Sequence, residues 1–409
     1  MTATAAVTPR CRHAGRCGGC QWQHVPYAEQ LARKRDEVDR LLRSRVRQLP
    51  PVAPVVPMPV GDDGAPWHFR HKAAFVFGRD GRDGRGLVMG HHAAGSRDVV
   101  PVEECPVHGA RANRIAFRLR DELVKARVSA AGPDLSGVLR HVIVRTSADE
   151  RDAVLMLVVT RNAGELKKPV RALLASDDRP DGCFLNIHPT PSPYMVGRET
   201  LRLDGHAHVR EKSLGPTFLV SPTAFFQTNP AAAAVLVSLV LDAIDPRARH
   251  VLDLYSGGGL FTLPLASRGH RVTAVEENAR AVADAERNLE VNRLDPRGVR
   301  LINARTEQAI RDLERRAVDA VVLDPPRQGC APAVIDAVFG RLAPPRVVYV
   351  SCNPAALAEE LPVIVAAGYR VRSVQPVDMF PHTSHVEAVA VFDRETGARP
   401  HSGPGQNGV

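Results

Sequence analysis

The sequence lacks the features that mark membrane, fibrous and disordered proteins. No apolar run approaches about 18 residues, so no transmembrane helix and no membrane partner are expected. The first residues carry neither an apolar signal-peptide core nor a cleavage site, which predicts a cytoplasmic protein. With 44% hydrophobic and 24% charged residues, the composition argues against wholesale disorder, collagen-like repeats and a coiled-coil rod.

Lysine is scarce. Only six of the 54 basic residues are lysine, so arginine carries nearly all of the positive charge behind the net +9. A basic balance suits a polyanionic partner such as RNA, and arginine suits phosphate recognition. An arginine-biased genome explains the same composition, so charge alone does not identify the partner.

Cysteine is also rare, and it is unevenly placed. Three of the seven cysteines crowd into Cys11, Cys17 and Cys20, and Cys105 follows much further along. In a long cytoplasmic chain this pattern indicates metal binding or catalysis before disulfides. The Cys-Gly-Gly-Cys turn can present three thiolates from one loop, and Cys105 could add a fourth. Four thiolates serve either zinc or an iron–sulfur cluster, and the residues alone leave both open.

The patterns along the chain predict three regions and a tail. These are a Cys-rich segment with a helix and a proline-rich linker (1–66), a central, mostly antiparallel β (α+β) domain expected to bind RNA (67–220), a Rossmann-like α/β domain (221–394) and a disordered tail (395–409). In the third region apolar runs alternate with helical patterns, which is typical of a doubly wound sheet. Seven strands are predicted there, near 250–254, 271–276, 299–302, 319–323, 347–351, 369–374 and 386–392.

A small-residue turn follows the first of these strands. Ser-Gly-Gly-Gly at 256–259 lies where open α/β sheets bind ligands, and glycine lets backbone approach a ligand closely. A dinucleotide site would need glycine at position 262, where Thr262 stands, so an adenosine-bearing ligand without a pyrophosphate is favoured. Glu276 ends the second strand, where a carboxylate can bind ribose hydroxyls, and Asp324 ends the fourth.

Two further residues suit covalent chemistry. Cys352 lies between a hydrophobic strand and a helix that Pro354 begins, and a helix N-terminus is expected to lower the thiol pKa. Glu387 lies among apolar neighbours near the start of the last strand, where partial burial should raise its pKa towards that of a general base. A buried structural Cys and a salt-bridged Glu are the competing interpretations.

Five motifs together resemble the RNA 5-methyluridine methyltransferase family. They are Phe-Phe-Gln-Thr-Asn-Pro (225–230), Asp-Leu-Tyr-Ser-Gly-Gly-Gly (253–259), Leu-Asp-Pro-Pro-Arg-Gln-Gly (323–329), Val-Ser-Cys-Asn-Pro (350–354) and Met-Phe-Pro-His-Thr-Ser-His-Val-Glu (379–387). The resemblance extends from Cys11 to about Phe392. It implies a class I fold, a monomer, and S-adenosylmethionine-dependent methylation of uracil C5.

The resemblance also implies a role for individual residues. Cys352 would be the nucleophile that adds to C6 of uracil, and Glu387 the base that removes the C5 proton. The residues implied at the S-adenosylmethionine site are Gln227, Tyr255, Glu276 and Asp324. Ser256 and Leu260 differ from residues that family members often carry, which bears on cofactor contacts alone.

For the cysteines, the three-plus-one arrangement resembles the [4Fe–4S] members of the family. Its ligands would be Cys11, Cys17, Cys20 and Cys105, and the cluster would have a structural role because methyl transfer needs no electrons. Relatives with a cluster resemble the ribosomal RNA enzymes, which favours 23S ribosomal RNA over the T loop of transfer RNA.

Two other functions remain as alternatives. An RNA 5-methylcytosine methyltransferase would place its nucleophile after the fourth strand, where Arg327 stands, so the sequence opposes it. A non-catalytic, cluster-bearing RNA-binding protein is opposed by the presence of Cys352, Glu387 and Glu276.

Overall fold

A computed structural model describes residues 6–79, 86–192, 194–212, 215–313 and 318–395. The chain divides into two compact units. The first comprises Met1–Tyr27, Pro59–Ser213 and Phe218–Ala231, and the second comprises Ala28–Met58, Leu214–Thr217 and Ala232–Val409. Within the described ranges no helix is long and apolar enough to cross a membrane. Apart from Glu395, the predicted tail lies outside the described residues.

The first helix, α1, spans Tyr27–Arg43, so it begins and ends earlier than the helix predicted over 31–47. Its first residue, Tyr27, directly follows Pro26, which has no N–H to donate and is therefore tolerated at a helix start. Beyond its first residue α1 belongs to the second unit, where Val38 and Leu42 lie in the core. The residues of the predicted N-terminal segment are therefore shared between the two units, and the predicted domain ranges stay a prediction.

The stretch over 50–66, predicted as an extended linker, contains a turn at 61–65, and part of the rest is hydrogen-bonded. Val56 N–H donates to the Pro376 carbonyl at 2.9 Å, and Asp378 N–H donates to the Val56 carbonyl at 3.0 Å. The buried side chains of Val52, Val55 and Met58 anchor the same stretch. Prolines are tolerated here because only some of the backbone N–H groups are needed.

The first unit is built on a seven-stranded sheet. Its strands are β1 (Lys72–Arg79), β2 (Leu87–His92), β3 (Val99–Pro101), β4 (Leu139–Thr146), β5 (Ala153–Val159), β6 (Gly182–Ile187) and β7 (Glu199–Gly205). Their order is β3-β2-β1-β4-β5-β6-β7, and the neighbours are antiparallel except for β5 and β6. The predicted, mostly antiparallel β domain is confirmed.

Helices cover one face of this sheet. They are α2 (Ala110–Lys125) and α3 (Lys167–Leu174), and α3 makes the crossover that a parallel β5–β6 pair requires. Alternate residues of β5 enter two different clusters: Leu155 and Leu157 pack with the α2 residues, and Met156 and Val158 pack on the other face. Two short strands, β8 (Val209–Glu211) and β9 (Phe218–Val220), pair separately.

The second unit contains the predicted doubly wound sheet. Its strands are β10 (His250–Leu254), β11 (Arg271–Glu276), β12 (Val299–Asn303), β13 (Ala320–Leu323), β14 (Arg346–Ser351), β15 (Tyr369–Val377) and β16 (Glu387–Arg394). The order is β12-β11-β10-β13-β14-β16-β15, parallel except for β16, which is antiparallel to both of its neighbours. All seven predicted strands are present.

Helices alternate with these strands. They are α4 (Pro230–Ala243), α5 (Thr262–Ser267), α6 (Ala279–Val291), α7 (Thr306–Asp312), α8 (Pro332–Ile335), which continues as a π-helical segment (Asp336–Leu342), and α9 (Pro354–Ala366). The central strands β13 and β14 are apolar in their interiors (Ala320–Leu323 and Val347–Val350) because helices bury both faces of the parallel sheet. Strand order reverses at β10, which lies between β11 and β13, so a crevice is expected beyond its carboxyl end.

Candidate active site and cysteine site

The loop after β10 turns through left-handed backbone. Tyr255, Gly257 and Gly259 have φ values of 63°, 54° and 92°. A Cβ added at Gly259 would lie 2.3 Å from Leu263 Cδ1, so a side chain does not fit there without rearrangement. The loop therefore presents backbone at the carboxyl end of β10, which is where a ligand is expected.

Glu276 is fixed against this loop. Gly257 N–H donates to its Oε2 at 2.9 Å, and Asn278 N–H donates to its Oε1 at 2.7 Å. These two bonds orient the carboxylate at the end of β11. Each oxygen has a second lone pair, so the group can still accept bonds from hydroxyl donors.

Two more carboxyl groups lie at this edge. Asp253 is buried, accepts a bond from Thr262 Oγ1 at 2.5 Å, and has its pKa raised to about 7 by burial. Asp324 follows β13, and burial, together with the nearby charges of Glu387 and Asp253, raises its pKa well above the usual range. The edge therefore concentrates acidic groups, some of which hold a proton near neutral pH.

Tyr255 and Gln227 lie in different surroundings. Tyr255 follows β10, and burial, reinforced by Cys330 and Glu307, raises the pKa of its hydroxyl. Gln227 is buried in the first unit, between β9 and α4. Its predicted cofactor contact stays a prediction.

Cys352 lies at the same edge of the sheet, directly after β14. Pro354 begins α9, as predicted, and the Asn353 side chain caps the helix by accepting a bond from Ala355 N–H at 3.3 Å. Ser351 pairs with Ala388 in the antiparallel β14–β16 ladder. The next position beyond that pair is Cys352 on one strand and Glu387 on the other, so the two residues meet at the end of the ladder.

The expectation of a lowered thiol pKa at Cys352 is wrong. Burial, together with the charges of Glu387 and Asp324, raises the pKa to about 11, against a lowering effect of Arg327. Loss of water and two like charges therefore outweigh the helix start and one guanidinium.

Glu387, by contrast, behaves as predicted. It is the first residue of β16 and only 3% exposed. Burial raises its pKa to about 7, against a lowering effect of Arg327. The carboxyl group can therefore exchange a proton near neutral pH.

Arg327 is the residue at this edge whose importance the sequence did not indicate. Its side chain is exposed, its Nη2 lies 2.9 Å from His385 Nδ1, and its carbonyl accepts a bond from Asn353 Nδ2 at 2.9 Å. It is the cation that acts on both Cys352 and Glu387. The available signal was its position in Asp-Pro-Pro-Arg, four residues after β13 ends at Leu323.

The four predicted ligand cysteines line one cavity in the first unit. Cys11, Cys17, Cys20 and Cys105 surround a space of about 210 Å³. The loop that carries the first three is attached to β2, since Gly18 N–H donates to the His92 carbonyl at 2.9 Å. The structure therefore brings together thiols that are far apart in sequence.

The thiols in this cavity affect one another. Burial raises the pKa of Cys20 to about 11 and that of Cys105 to about 12, and neighbouring cysteines add to both shifts. Arg70 is the cation beside them, since both Cys105 and Cys20 act on its pKa. Buried thiols of this kind lose their protons readily only when a metal replaces them.

Two histidines that line the cavity were not predicted from the sequence. Ligand atoms of His91, Cys105 and His108 all lie within 4.8 Å of one another. His91 Nε2 and His108 Nδ1 are buried and have no hydrogen-bond partner among the described residues. Nothing in their spacing indicated this placement. The remaining cysteines, Cys183 and Cys330, are buried, as expected of structural residues.

Known proteins are similar to almost the whole chain. Residues 203–395 match the profile of the tRNA (uracil-5-)-methyltransferase family. An uncharacterized RNA methyltransferase of Gloeobacter violaceus is 35% identical over 393 residues, which is 94% of this chain and 82% of that protein. Another, from Caldanaerobacter subterraneus, is 32% identical and covers 95% of this chain and 84% of its own.

A solved structure extends the likeness. The Pyrococcus abyssi tRNA (uracil-54, C5)-methyltransferase in complex with S-adenosyl-L-homocysteine is 28% identical, with a TM-score of 0.75 over 91% of this chain and 85% of that one. The second unit has the class I methyltransferase fold. The chain belongs to the RNA uracil-5 methyltransferase family, and it is an S-adenosylmethionine-dependent RNA methyltransferase.

Proposed function

We propose that this enzyme methylates C5 of one uridine in large-subunit (23S) ribosomal RNA through a covalent adduct on Cys352. The observation that carries the proposal is the meeting of Cys352 and Glu387 at the end of the β14–β16 ladder. A thiol and a base-strength carboxyl group are the two groups that this reaction requires.

The first half of the reaction uses Cys352. When bound, S-adenosylmethionine supplies a methyl group on an electrophilic sulfonium. Uracil C5 is a poor nucleophile until the Cys352 sulfur, its proton lost to solvent, bonds to C6 and moves the C5–C6 π electrons towards O4. C5 of this enolate would then bond to the methyl carbon as the bond from that carbon to the sulfonium sulfur breaks, with S-adenosylhomocysteine as the leaving group. Arg327 favours the step because its charge stabilises the thiolate.

The second half uses Glu387. Its carboxylate removes the proton from C5, the C5–C6 double bond forms again, and the bond between C6 and sulfur breaks to release the Cys352 thiolate. The proton ends on Glu387 and passes to solvent. A pKa of about 7 suits this role, since much of the group is ionised at neutral pH.

The cofactor site is proposed from the edge formed by β10, β11 and β13. Glu276 is oriented to accept ribose hydroxyls, and Tyr255 and Asp324 end neighbouring strands. Gln227 completes the set implied by the family motifs.

The cysteine cavity is proposed to hold a [4Fe–4S] cluster. Four thiols around one cavity of about 210 Å³ fit such a cluster, and thiolates are the ligands that iron–sulfur clusters take. Bound there, the cluster would tie the N-terminal loop to the segment that carries Cys105. Iron and sulfide analysis of anaerobically purified protein tests this, and a single tightly bound zinc ion would contradict it.

Transfer RNA is the second candidate substrate. It is favoured by the likeness to the Pyrococcus abyssi enzyme, whose name specifies uracil-54 of tRNA. In either RNA the target base must be unpaired or flipped, because a stacked uracil cannot present C5 and C6 to two reacting groups. A cytoplasmic monomer remains the expected form.

Labelled S-adenosylmethionine tests the proposal. The cluster-intact enzyme is offered transcripts of large-subunit ribosomal RNA and of transfer RNAs, and the modified nucleoside is identified. 5-Methyluridine in ribosomal RNA alone is the expected result. The same product in transfer RNA alone keeps the chemistry and overturns the substrate. Label in 5-methylcytosine, or no label in either RNA, rejects the function.

A further inference from the structure

The segment 378–386, which leads from β15 to Glu387, is held by α1 through a buried charge. Lys34 Nζ lies 2.5 Å from Asp378 Oδ1, and both side chains are 0% exposed. The same ammonium donates to the Phe380 carbonyl at 3.0 Å. Both contacts lie within the second unit.

A second contact comes from the preceding turn of α1. Gln30 Oε1 accepts a bond from His382 N–H at 2.9 Å, and Gln30 Nε2 lies 3.4 Å from His382 Nδ1. Gln30 and Lys34 are four residues apart and so lie on one face of the helix. His382 is buried and has a φ of 64°, so the bond secures a residue in left-handed backbone.

Hydrogen bonds also connect this segment to Arg327, beside Cys352 and Glu387. Thr383 Oγ1 donates to the Phe380 carbonyl at 2.7 Å, which is also the acceptor of Lys34. His385 N–H donates to Thr383 Oγ1 at 3.2 Å, and His385 Nδ1 lies 2.9 Å from Arg327 Nη2. A chain of hydrogen bonds thus runs from α1 to the cation that acts on Cys352 and Glu387.

A buried ion pair is an expensive way to stabilise a fold. Removing two charges from water is costly, and well-packed apolar residues often stabilise a fold equally well. What charges provide in addition is one fixed geometry, because each donor and acceptor must meet its partner. The segment that precedes Glu387 is a place where a fixed geometry matters.

We propose that Lys34 and Gln30 are positioning residues that hold the 378–386 segment so that Glu387 reaches the C5 proton of the methylated adduct. The inference rests on the proposed function, because it assigns Glu387 as the base. According to this inference, base catalysis requires two residues of α1, which lies outside the five family motifs. Loss of the contacts should slow release of the adduct while leaving its formation and methylation in place.

The test separates these steps in single turnovers of the full-length, cluster-intact enzyme. Lys34→Met and Gln30→Leu are mixed with the RNA that wild type methylates and labelled S-adenosylmethionine, and adduct stable in detergent is followed against free methylated RNA. Methyl transfer should change by less than about threefold. Adduct decay should slow by about tenfold or more, since small misplacements of a base are costly.

Two further variants make the result decisive. Glu387→Gln is the reference for adduct that cannot resolve. Arg346→Met is the matched structural control, because it breaks the partly buried Arg346–Asp393 pair at the far end of the same ladder, and its adduct should decay normally.

The outcomes distinguish the inference from the proposed function. Adduct that persists in Glu387→Gln, Lys34→Met and Gln30→Leu, but not in Arg346→Met, supports the inference. Persistence in Glu387→Gln alone, or equally in Arg346→Met, overturns it. Absence of adduct in Glu387→Gln rejects the assigned base and hence the proposed function. If Lys34→Met does not fold, Gln30→Leu decides by the same criterion.

Discussion

The enzyme has two cysteine regions, the surroundings of Cys352 and the four-cysteine cavity. Burial raises the thiol pKa in both regions, but different groups surround the thiols. Burial raises the thiol pKa to about 11 at Cys352 and at Cys20, and to about 12 at Cys105. The charges that act on Cys352 come from Glu387, Asp324 and Arg327. Those that act on Cys105 come from other cysteines. A raised thiol pKa therefore does not assign a role by itself. The groups that surround the thiol indicate its role.

This difference follows from how each region is built. Cys352 and Glu387 lie at the ends of neighbouring strands, which places one thiol against groups that exchange protons. The other cysteines come from a loop and a distant segment that close on one cavity, which places thiols against thiols. The first arrangement suits transient bonding to a substrate, and the second suits permanent ligation of a metal.

The largest effect is expected from Cys352→Ala. Without the sulfur, C5 of uracil is not activated, so methyl transfer should fall by a factor on the order of 10⁴ or more, while iron content stays unchanged. Single-turnover transfer of labelled methyl groups measures the change. Cys183→Ala, which removes a buried thiol of β6 outside both regions, is the control and should retain activity. Undiminished methylation by Cys352→Ala would falsify the covalent mechanism.

The opposite outcome is expected from Cys105→Ser. Loss of one ligand should release the metal and lower the unfolding free energy of the first unit by more than about 4 kcal/mol. Binding of S-adenosylmethionine should change by less than about threefold, because three of the four residues proposed for the cofactor site, Tyr255, Glu276 and Asp324, belong to the second unit. Iron analysis, thermal unfolding and calorimetric titration measure the three quantities. Unchanged iron in this variant would remove Cys105 from the ligand set.

The two regions were not equally predictable. The strands around Cys352 and Glu387 could be placed from apolar runs alone, because strands buried on both faces leave a strong signal in parallel β14 and in antiparallel β16. The direction of the Cys352 pKa shift could not be predicted, since it depends on burial by tertiary packing and on two carboxyl groups that other strands carry. His91 and His108 were missed for the same reason, because only tertiary packing brings them to Cys105. Local sequence patterns therefore predict helices and strands. The pKa values of the site depend on contacts between elements that are distant in sequence.

An intermediate effect concerns the pH dependence of stability. Folding raises the pKa of Glu387 from 4.5 to about 7, so its stabilising contribution is complete below about pH 4.5 and is lost as pH rises through 7. The loss amounts to about 3 kcal/mol, and Glu387→Gln should remove it. The variant should therefore gain stability relative to wild type between pH 5 and pH 8.5.

Hydrogen exchange of the β14 and β16 amides at the two pH values measures this gain. Glu290→Gln, which changes an exposed carboxyl group on α6, is the control and should show no such dependence. A gain that is equal at both pH values would mean that burial does not hold the proton on Glu387.

The smallest effect sharpens the comparison at Cys352 itself. Arg327 lowers the thiol pKa and Glu387 raises it, so the two substitutions should have opposite signs. At pH 8.5 alkylation of Cys352 should slow by about threefold in Arg327→Met, because less thiolate is present, and quicken by about threefold in Glu387→Gln. Mass spectrometry of the Cys352 peptide over time measures both rates, with Arg300→Met on the edge strand β12 as the control. Changes of the same sign in both variants would show that access to the thiol, and not its charge, controls its reactivity. Opposite signs would show that the carboxyl group proposed as the base also lowers the fraction of Cys352 present as thiolate.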